Sequence, residues 1–273
     1  MRRKGSPRAL IRMKKKGERI AMLTAYDFPT AEILDEAGID AILVGDSLGM
    51  VVHGFETTLP VTMDDVVRHA AAVTRARPKA LVIGDLPFLS YTVSVPDAVA
   101  NAGRLVKEGG VGAVKLEGGR AMIPVVRAIL RASIPVMGHL GLTPQSILRF
   151  GGYVVQGRTA IAAERLIEAA KGLEDAGCFG IVLEAIPVDL AGRVTEAVSI
   201  PTIGIGAGPR CDGQVLVTHD LLGIYDKMLP RFVKRYAELR PVVRDAFRMY
   251  IADVKQGAFP GPEHCYESGG EDG

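Results

Sequence analysis

The chain has 273 residues, of which 48% are hydrophobic, 23% charged and 5% aromatic, a balance that excludes a disordered or fibrous protein. Its 33 basic and 31 acidic residues leave a formal net charge of +2, so no binding to nucleic acid is expected. Three widely spaced cysteines argue against a disulfide framework or a zinc cluster. With no apolar run near the ~20 residues of a membrane span and no signal-peptide pattern, we expect a cytoplasmic protein without membrane contact.

The two ends of the chain differ in composition from the rest. Residues 1–17 carry eight lysines and arginines and an apolar edge made of Leu10, Ile11 and Met13, which predicts a short helical extension whose lysines stay solvated. A nucleic-acid arm or an organelle transit peptide is the alternative. Residues 259–273 end in a polar, glycine-rich stretch, which predicts a flexible tail.

Between these ends, short apolar runs recur, and each run ends in glycine or a polar residue. Near-continuous apolar runs of this length indicate strands that are buried on both faces of a parallel sheet. The predicted strands are Ile20–Asp27, Ala41–Asp46, Ala80–Asp85, Ala113–Gly118, Pro135–Gly141, Ile181–Ile186, Pro201–Gly208 and, more weakly, Gln214–Asp220.

The segments between the runs have helical periodicity. The clearest are Asp64–Arg75, Pro96–Glu108 and Glu164–Ala176. After the last unit, 231–255 is predicted to form one or two helices, broken near Pro241, outside the barrel or at a subunit contact. Eight strand–helix units without a linker predict α/β architecture: a single (β/α)8 TIM barrel in a catalytic domain spanning 18–258, with extra N- and C-terminal helices. A doubly wound open sheet is the alternative.

Polar side chains occupy the carboxyl ends of the predicted strands. They are Asp46, Asp85, Glu117, His139 and Glu184. Because these ends surround one mouth in a barrel, we expect the side chains to converge there. Converging carboxylates repel unless a cation offsets them, and oxygen ligands without a Cys or His pair favour Mg²⁺. The alternative is that the acids pair with lysine and arginine.

Three further groups could contribute to such a site. Ser47 could face a substrate carboxylate or cap a helix. Lys115 lies two positions before Glu117 and so points the same way; a buried ammonium needs an anionic partner, either a substrate carboxylate or Glu117. His139 could support a substrate oxygen or be an ordinary core histidine. The glycines of Ile203–Gly208 could cradle a phosphate or permit a tight turn.

Longer strings are specific enough to indicate a family. The most recognisable is GDSLGMVVHGFETTLPVTMDDVVRH (Gly45–His69). Five further segments follow it in order: Val114–Gly119, Gly138–Ser146, Gly151–Gly157, Leu183–Pro187 and Ile203–Gly223. Together they resemble the ketopantoate hydroxymethyltransferase family over nearly the whole chain, from about Glu18 to Ala258.

This resemblance implies a barrel of the phosphoenolpyruvate mutase-like superfamily, usually assembled as a homodecamer. It implies hydroxymethyl transfer from 5,10-methylenetetrahydrofolate to 3-methyl-2-oxobutanoate, giving 2-dehydropantoate for pantothenate biosynthesis by Mg²⁺-assisted enolisation and aldol-type C–C bond formation. The resemblance also implies roles for side chains. Asp46 and Asp85 would bind Mg²⁺, with Glu117 as a further ligand, and Glu184 would abstract the proton. The oxo acid would be bound by Asp46, Ser47, Asp85 and Lys115. The rival interpretations are another Mg²⁺-dependent barrel lyase or mutase acting on 2-oxo acids, and a non-enzymatic ligand sensor or scaffold.

Overall fold

The fold is a closed barrel of parallel strands. The computed structural model describes residues 5–227 and 229–266, so the first four residues of the basic segment and the last seven of the predicted tail lie outside the described residues. Within the described part, eight strands pair in chain order and close on themselves. This confirms the predicted barrel and excludes the open sheet. The strands are β1 Ile20–Thr24, β2 Ala41–Val44, β3 Leu81–Asp85, β4 Ala113–Glu117, β5 Val136–Gly141, β6 Gly180–Glu184, β7 Thr202–Ile205 and β8 Gly213–Leu216.

Helices alternate with these strands. They are α1 Pro7–Lys15, α2 Phe28–Glu36, α3 Leu48–Val51, α4 Met63–Arg75, α5 Val95–Lys107, α6 Ile123–Arg131, α7 Ile147–Phe150, α8 Ala160–Ala176, α9 Val188–Ala197, α10 Thr218–Leu221 and α11 Leu239–Gln256. The predicted break near Pro241 is wrong, because Pro241 lies in the first turn of α11. A missing N–H costs no hydrogen bond in a first turn.

The strands present two different faces. On β3, Leu81 and Ile83 belong to the apolar cluster inside the barrel, whereas Val82 belongs to the cluster between strands and helices. This is the two-residue alternation of a strand. The inward row of β3 continues to Asp85, and on β4 the same row runs through Lys115. The inward-facing row of a strand is therefore apolar toward the amino-terminal end of the barrel and becomes polar at the carboxyl end.

Helix α1 closes the amino-terminal end of the barrel. Leu10 is 1% exposed and belongs to the interior cluster. Lys14 Nζ donates to the carbonyl oxygens of Thr195, Val198 and Ile200 at 2.9–3.0 Å and lies 3.0 Å from Asp212 Oδ2. The prediction of solvated lysines is therefore wrong for Lys14, although Lys15 and Lys16 are exposed. Lys14 differs from its neighbours because Leu10 packs α1 against the barrel, which brings the Lys14 ammonium within reach of backbone carbonyl oxygens.

The described residues fall into two compact units. The first holds the barrel, through Thr218 and again over 230–233, and the second holds 219–229 and the residues from 234 onward. Within the second unit Arg240 Nε lies 2.8 Å from Asp226 Oδ2, and α11 has no buried residue. None of the helices in the described ranges is long and apolar enough to cross a membrane. The predicted domain limits at residues 18 and 258 stay predictions.

Candidate active site

The strand register brings the predicted site residues together. Asp85 is the register partner of Lys115, and Glu117 is the partner of His139. Glu184 ends the next strand, β6. Asp46, which follows β2, joins them through its backbone N–H, which donates to Asp85 Oδ2 at 3.1 Å. Residues from five consecutive strand ends thus form one connected, largely buried group.

Lys115 has a protein partner that differs from the predicted one. Its Nζ lies 2.7 Å from Asp85 Oδ1, and both side chains are at most 4% exposed. The ion pair is therefore made with Asp85 rather than Glu117. Burial alone would lower the pKa of Lys115, but the carboxylates of Asp85, Glu117 and Asp46 raise the pKa above its ordinary value. The ammonium is therefore charged whenever those acids are.

His139 connects the lysine with two acids. Its Nδ1 lies 3.2 Å from Lys115 Nζ and 3.4 Å from Glu117 Oε1, and its Nε2 lies 3.2 Å from Glu184 Oε2. Burial and Lys115 disfavour a charged ring, but contacts with Glu117 and Glu184 outweigh them and raise the pKa of His139 to about 9. The two acids contact the ring as ion-pair partners, one at each nitrogen. His139 is therefore part of the connected polar group.

Ser47 lies at the start of α3 beside Asp46. Its hydroxyl makes no helix-capping hydrogen bond, so the capping alternative is wrong. Instead, Ser47 Oγ lies 2.8 Å from the hydroxyl of the buried Tyr26. The sequence reasoning missed Tyr26, although it lies within the predicted first strand, Ile20–Asp27, just beyond the end of β1.

Two buried residues that sequence reasoning missed also contact the acids. Gln145 Nε2 donates to Asp46 Oδ2 at 2.8 Å, and its backbone N–H donates to Glu117 Oε2 at 3.0 Å. The Tyr91 hydroxyl lies 2.8 Å from Gln145 Oε1. Gln145 lies within the family-like segment Gly138–Ser146 and could have been found there. Tyr91 lies in the loop after β3 and had no such signal.

The backbone is constrained next to Glu184. Ala185 adopts a left-handed conformation, with φ of 45°, which costs a non-glycine residue about 1–3 kcal/mol. Gly141 has φ of 95°, and a Cβ there would overlap the Glu184 carbonyl oxygen. Glycine is therefore required where β5 passes β6. Gly206 and Gly208 also have positive φ, and a tight turn accounts for these two glycines without a phosphate.

The group contains more acidic than basic side chains. Four of the described carboxylates, Asp46, Asp85, Glu117 and Glu184, accompany only Lys115 and His139. Burial, followed by repulsion from Asp85 and Glu117, raises the pKa of Asp46 to about 8. Burial also raises the pKa of Asp85, although Lys115 opposes it. Burial and mutual repulsion thus disfavour the charged form of these acids, and a further cation would offset both effects.

Comparison with known proteins places this geometry in a family. The model of the ketopantoate hydroxymethyltransferase family matches residues 4–262. The chain belongs to the ketopantoate hydroxymethyltransferase family. It is 60% identical to the 3-methyl-2-oxobutanoate hydroxymethyltransferase of Moorella thermoacetica, over 93% of this chain and 95% of the relative. It is 54% identical to the enzyme of the same name from Trichlorobacter lovleyi, over 97% of this chain and 100% of the relative.

Solved structures show the same fold at much lower identity. A phosphonopyruvate hydrolase in complex with oxalate and Mg²⁺ matches with a TM-score of 0.62 and 11% identity, over 94% of this chain and 92% of that chain. A 2,3-dimethylmalate lyase of the PEP mutase/isocitrate lyase superfamily matches with a TM-score of 0.58 and 16% identity, over 97% and 91%. At these identities the likeness shows the fold alone, which is the predicted (β/α)8 barrel.

The residues fit the divalent cation that the family resemblance implies. Glu117 Oε1 is buried without a hydrogen bond to any described group. At Gly45, an added Cβ would lie 3.2 Å from Asp85 Oδ2 and 3.0 Å from Ser47 Oγ, so glycine keeps this space open. No three acidic, histidine or cysteine side chains of the described ranges form a ready-made metal cage. Mg²⁺ usually takes one or two carboxylates together with water and substrate oxygens.

Proposed function

We propose that this protein transfers a hydroxymethyl group from 5,10-methylenetetrahydrofolate to 3-methyl-2-oxobutanoate and forms 2-dehydropantoate, with Mg²⁺ as cofactor. The observation that carries the proposal is the buried group of Asp46, Asp85, Lys115, Glu117 and their neighbours at the strand ends of a chain of this family. The curated relatives carry the name of this activity. The proposal places the protein in pantothenate biosynthesis.

The reaction requires a carbon nucleophile made from a weak carbon acid. The C3 proton of the oxo acid is adjacent to the ketone and needs help to leave. When bound by Asp46 and Asp85, with Glu117 as a further ligand, Mg²⁺ would supply a Lewis acid that polarises the ketone oxygen. Glu184 takes the C3 proton, a contribution typically worth about 10²–10⁴-fold.

Two neighbouring groups prepare the base and the substrate. A protonated His139 forms an ion pair with Glu184, whose Oε2 lies 3.2 Å from Nε2, and so keeps the base beside the ring. Lys115 balances negative charge as the anionic oxo acid enters beside Asp85, and the Ser47 hydroxyl, held by Tyr26, can donate to a substrate oxygen. His139 thus acts on the substrate through Glu184, and its predicted direct contact with the oxo acid stays a prediction.

Bond formation then needs no redox cofactor. The C3 carbanion equivalent attacks the methylene carbon of the donor as the first of its two carbon–nitrogen bonds breaks. Water then supplies the hydroxyl oxygen of the product as the second carbon–nitrogen bond breaks. Tetrahydrofolate leaves with one proton from C3 and one from water on the two nitrogens that held the methylene group. No electrons are gained or lost overall, so a nicotinamide is not required.

One assay separates this proposal from its rivals. Product formation from 3-methyl-2-oxobutanoate is measured with and without the folate donor, and with and without a chelator. We expect 2-dehydropantoate only when both the donor and a divalent cation are present. Cleavage or rearrangement of 2-oxo acids without the donor would favour a lyase or mutase, and ligand binding without turnover would favour a sensor.

We further propose a cytoplasmic homo-oligomer, a decamer by family resemblance, that acts on small molecules and not on nucleic acid or membranes. Association is supported by large apolar side chains of α11 that are more than 45% exposed, and exposed apolar patches mark association surfaces. They are Val242, Phe247, Met249, Tyr250, Ile251 and Val254. Native mass spectrometry should detect ten copies, and a monomer at micromolar concentration would contradict this assignment.

A further inference from the structure

Gln145 contacts two of the proposed metal ligands from a buried position. It lies in the short 3-10 helix Pro144–Ser146 that follows β5 and is 6% exposed. Its side-chain amide donates to Asp46 Oδ2 at 2.8 Å and to the Leu86 carbonyl oxygen at 3.0 Å. Its backbone N–H donates to Glu117 Oε2 at 3.0 Å. A single residue thus holds one oxygen of each carboxylate.

Tyr91 fixes which way the Gln145 amide faces. The Tyr91 hydroxyl is 2.8 Å from Gln145 Oε1, and the backbone N–H of Glu117 donates to the Tyr91 oxygen at 3.2 Å. An amide oxygen can only accept, so the hydroxyl is the donor in this contact, which is shorter than its 3.2 Å contact with the Glu117 carbonyl oxygen. The amide N–H₂ is then left facing Asp46. The reversed amide would place its oxygen against a carboxylate and lose both donated hydrogen bonds.

This arrangement leaves specific oxygens available. Glu117 Oε2 is occupied by Gln145, whereas Oε1 is buried without a hydrogen bond among the described groups and has only the ion-pair contact with His139 Nδ1 at 3.4 Å. Asp46 Oδ2 is likewise occupied by the amide. We infer, on the basis of the proposed metal site, that Gln145 is a positioning residue that Tyr91 orients. Gln145 holds one oxygen of Asp46 and one oxygen of Glu117 by hydrogen bonds, so that the second oxygen of each carboxylate faces the divalent cation.

Metal binding tests this inference without relying on turnover. Gln145→Leu removes the amide of Gln145 and keeps its backbone N–H on Glu117. Mn²⁺ serves as a paramagnetic probe, and its dissociation constant is measured from the electron paramagnetic resonance signal of free Mn²⁺. Groups that orient metal ligands typically contribute about 10–100-fold to metal affinity. We expect Gln145→Leu to weaken Mn²⁺ binding by about that factor.

Tyr91→Phe is a smaller change to the same arrangement. The variant loses the hydrogen bond to Gln145 Oε1 and the one accepted from the Glu117 N–H. Loss of these neutral hydrogen bonds should weaken Mn²⁺ binding by about 3–10-fold. Because Tyr91 acts through Gln145, the double variant should bind Mn²⁺ about as weakly as Gln145→Leu alone. Additive losses in the double variant would contradict the orienting role of Tyr91.

Gln214→Leu is the matched control. The Gln214 side chain donates to the Gly208 carbonyl oxygen at 2.9 Å and is exposed, so this variant should bind Mn²⁺ like the wild type. Thermal unfolding in chelator shows the temperature range in which each variant is folded, and affinities are compared within that range. If Gln145→Leu does not fold, Tyr91→Phe alone tests the inference, and Mn²⁺ binding within about threefold of the wild type would contradict it.

The outcomes separate this inference from the proposed function. If a folded Gln145→Leu variant, or Tyr91→Phe in its place, binds Mn²⁺ within threefold of the wild type while Asp46→Asn loses binding, only the role of Gln145 is overturned. If the wild type binds no Mn²⁺, or Asp46→Asn binds it equally well, the metal site and this inference both fail. A positioning role also predicts that high Mg²⁺ restores most of the kcat of Gln145→Leu, which a general structural defect would not allow.

Discussion

The two ends of the barrel interior are built on the same strands but have opposite chemistry. At the amino-terminal end, Leu10 packs into an apolar cluster with residues such as Met22 and Ile83. At the carboxyl end, the inward rows continue into Asp85 and Glu117, and charges replace methyl groups. Burial of apolar side chains at the amino-terminal end stabilises the fold, whereas the close approach of acids at the carboxyl end destabilises it. In barrel enzymes the active site lies at the carboxyl end.

Two largely buried lysines show the difference most clearly. Lys14 Nζ donates to three backbone carbonyl oxygens and pairs with Asp212, so its charge is fully compensated. Lys115 Nζ pairs with Asp85 and borders His139 within a group that has surplus acids. Lys14 therefore stabilises the fold, whereas Lys115 belongs to the acid-rich group of the proposed metal site.

The largest expected effect concerns the base at the carboxyl end. Glu184→Gln removes the proposed proton acceptor while keeping its size. Exchange of the C3 hydrogen of 3-methyl-2-oxobutanoate for deuterium, followed by NMR without folate, should slow by about 10²–10⁴-fold. Exchange at the wild-type rate would remove Glu184 as the base.

The next effect concerns the proposed metal ligands. Asp46→Ala or Asp85→Ala should weaken Mg²⁺ and oxo-acid binding together, by more than the about 100-fold seen for groups that merely orient ligands. Isothermal titration of each variant with Mg²⁺ and oxo acid measures this. Wild-type activity in either variant would contradict the metal assignment.

At the opposite end, the same kind of truncation should affect stability alone. Leu10→Ala removes a side chain that is 1% exposed and should lower the free energy of unfolding by about 2–5 kcal/mol. Urea denaturation gives the change in stability, and Mg²⁺ affinity of the folded variant should equal that of the wild type. A loss of Mg²⁺ affinity at full folding would show that the two ends are coupled.

A smaller effect should appear in the pH dependence of the metal-free protein. In the folded chain the pKa of Asp46 is raised from 3.8 to about 8 and that of His139 from 6.5 to about 9. The folded state therefore binds more protons than the unfolded state between pH 6.5 and 8, and stability falls as pH rises. The slope is at most about 1.4 kcal/mol per pH unit for each group.

Thermal unfolding in chelator from pH 6.5 to 9 measures that slope. Asp46→Asn should make it shallower, because the variant has no carboxyl to titrate at this position. Added Mg²⁺ should also reduce it. A metal-free wild type whose stability stays constant or increases over this range would contradict the charge distribution described for the carboxyl end.

The sequence predicts strand-end residues better than it predicts their partners. Unbroken apolar runs indicate strands buried on both faces, and the polar residues near their carboxyl ends must then lie at one mouth, as Asp85 and Glu184 do. The Gln145–Asp46 bond, by contrast, spans 99 residues, and no local pattern encodes it. The prediction that Lys14 is solvated failed for the same reason: its carbonyl partners lie more than 180 residues away in the chain.

The central claim is that acids at the carboxyl end hold a divalent cation that lets Glu184 remove the C3 proton. Folate-free deuterium exchange into 3-methyl-2-oxobutanoate by the wild-type protein tests it most directly. The account predicts rapid exchange with Mg²⁺ and loss of exchange in chelator, restored when Mg²⁺ is added back. Equal exchange with and without the metal, or none under either condition, would contradict it.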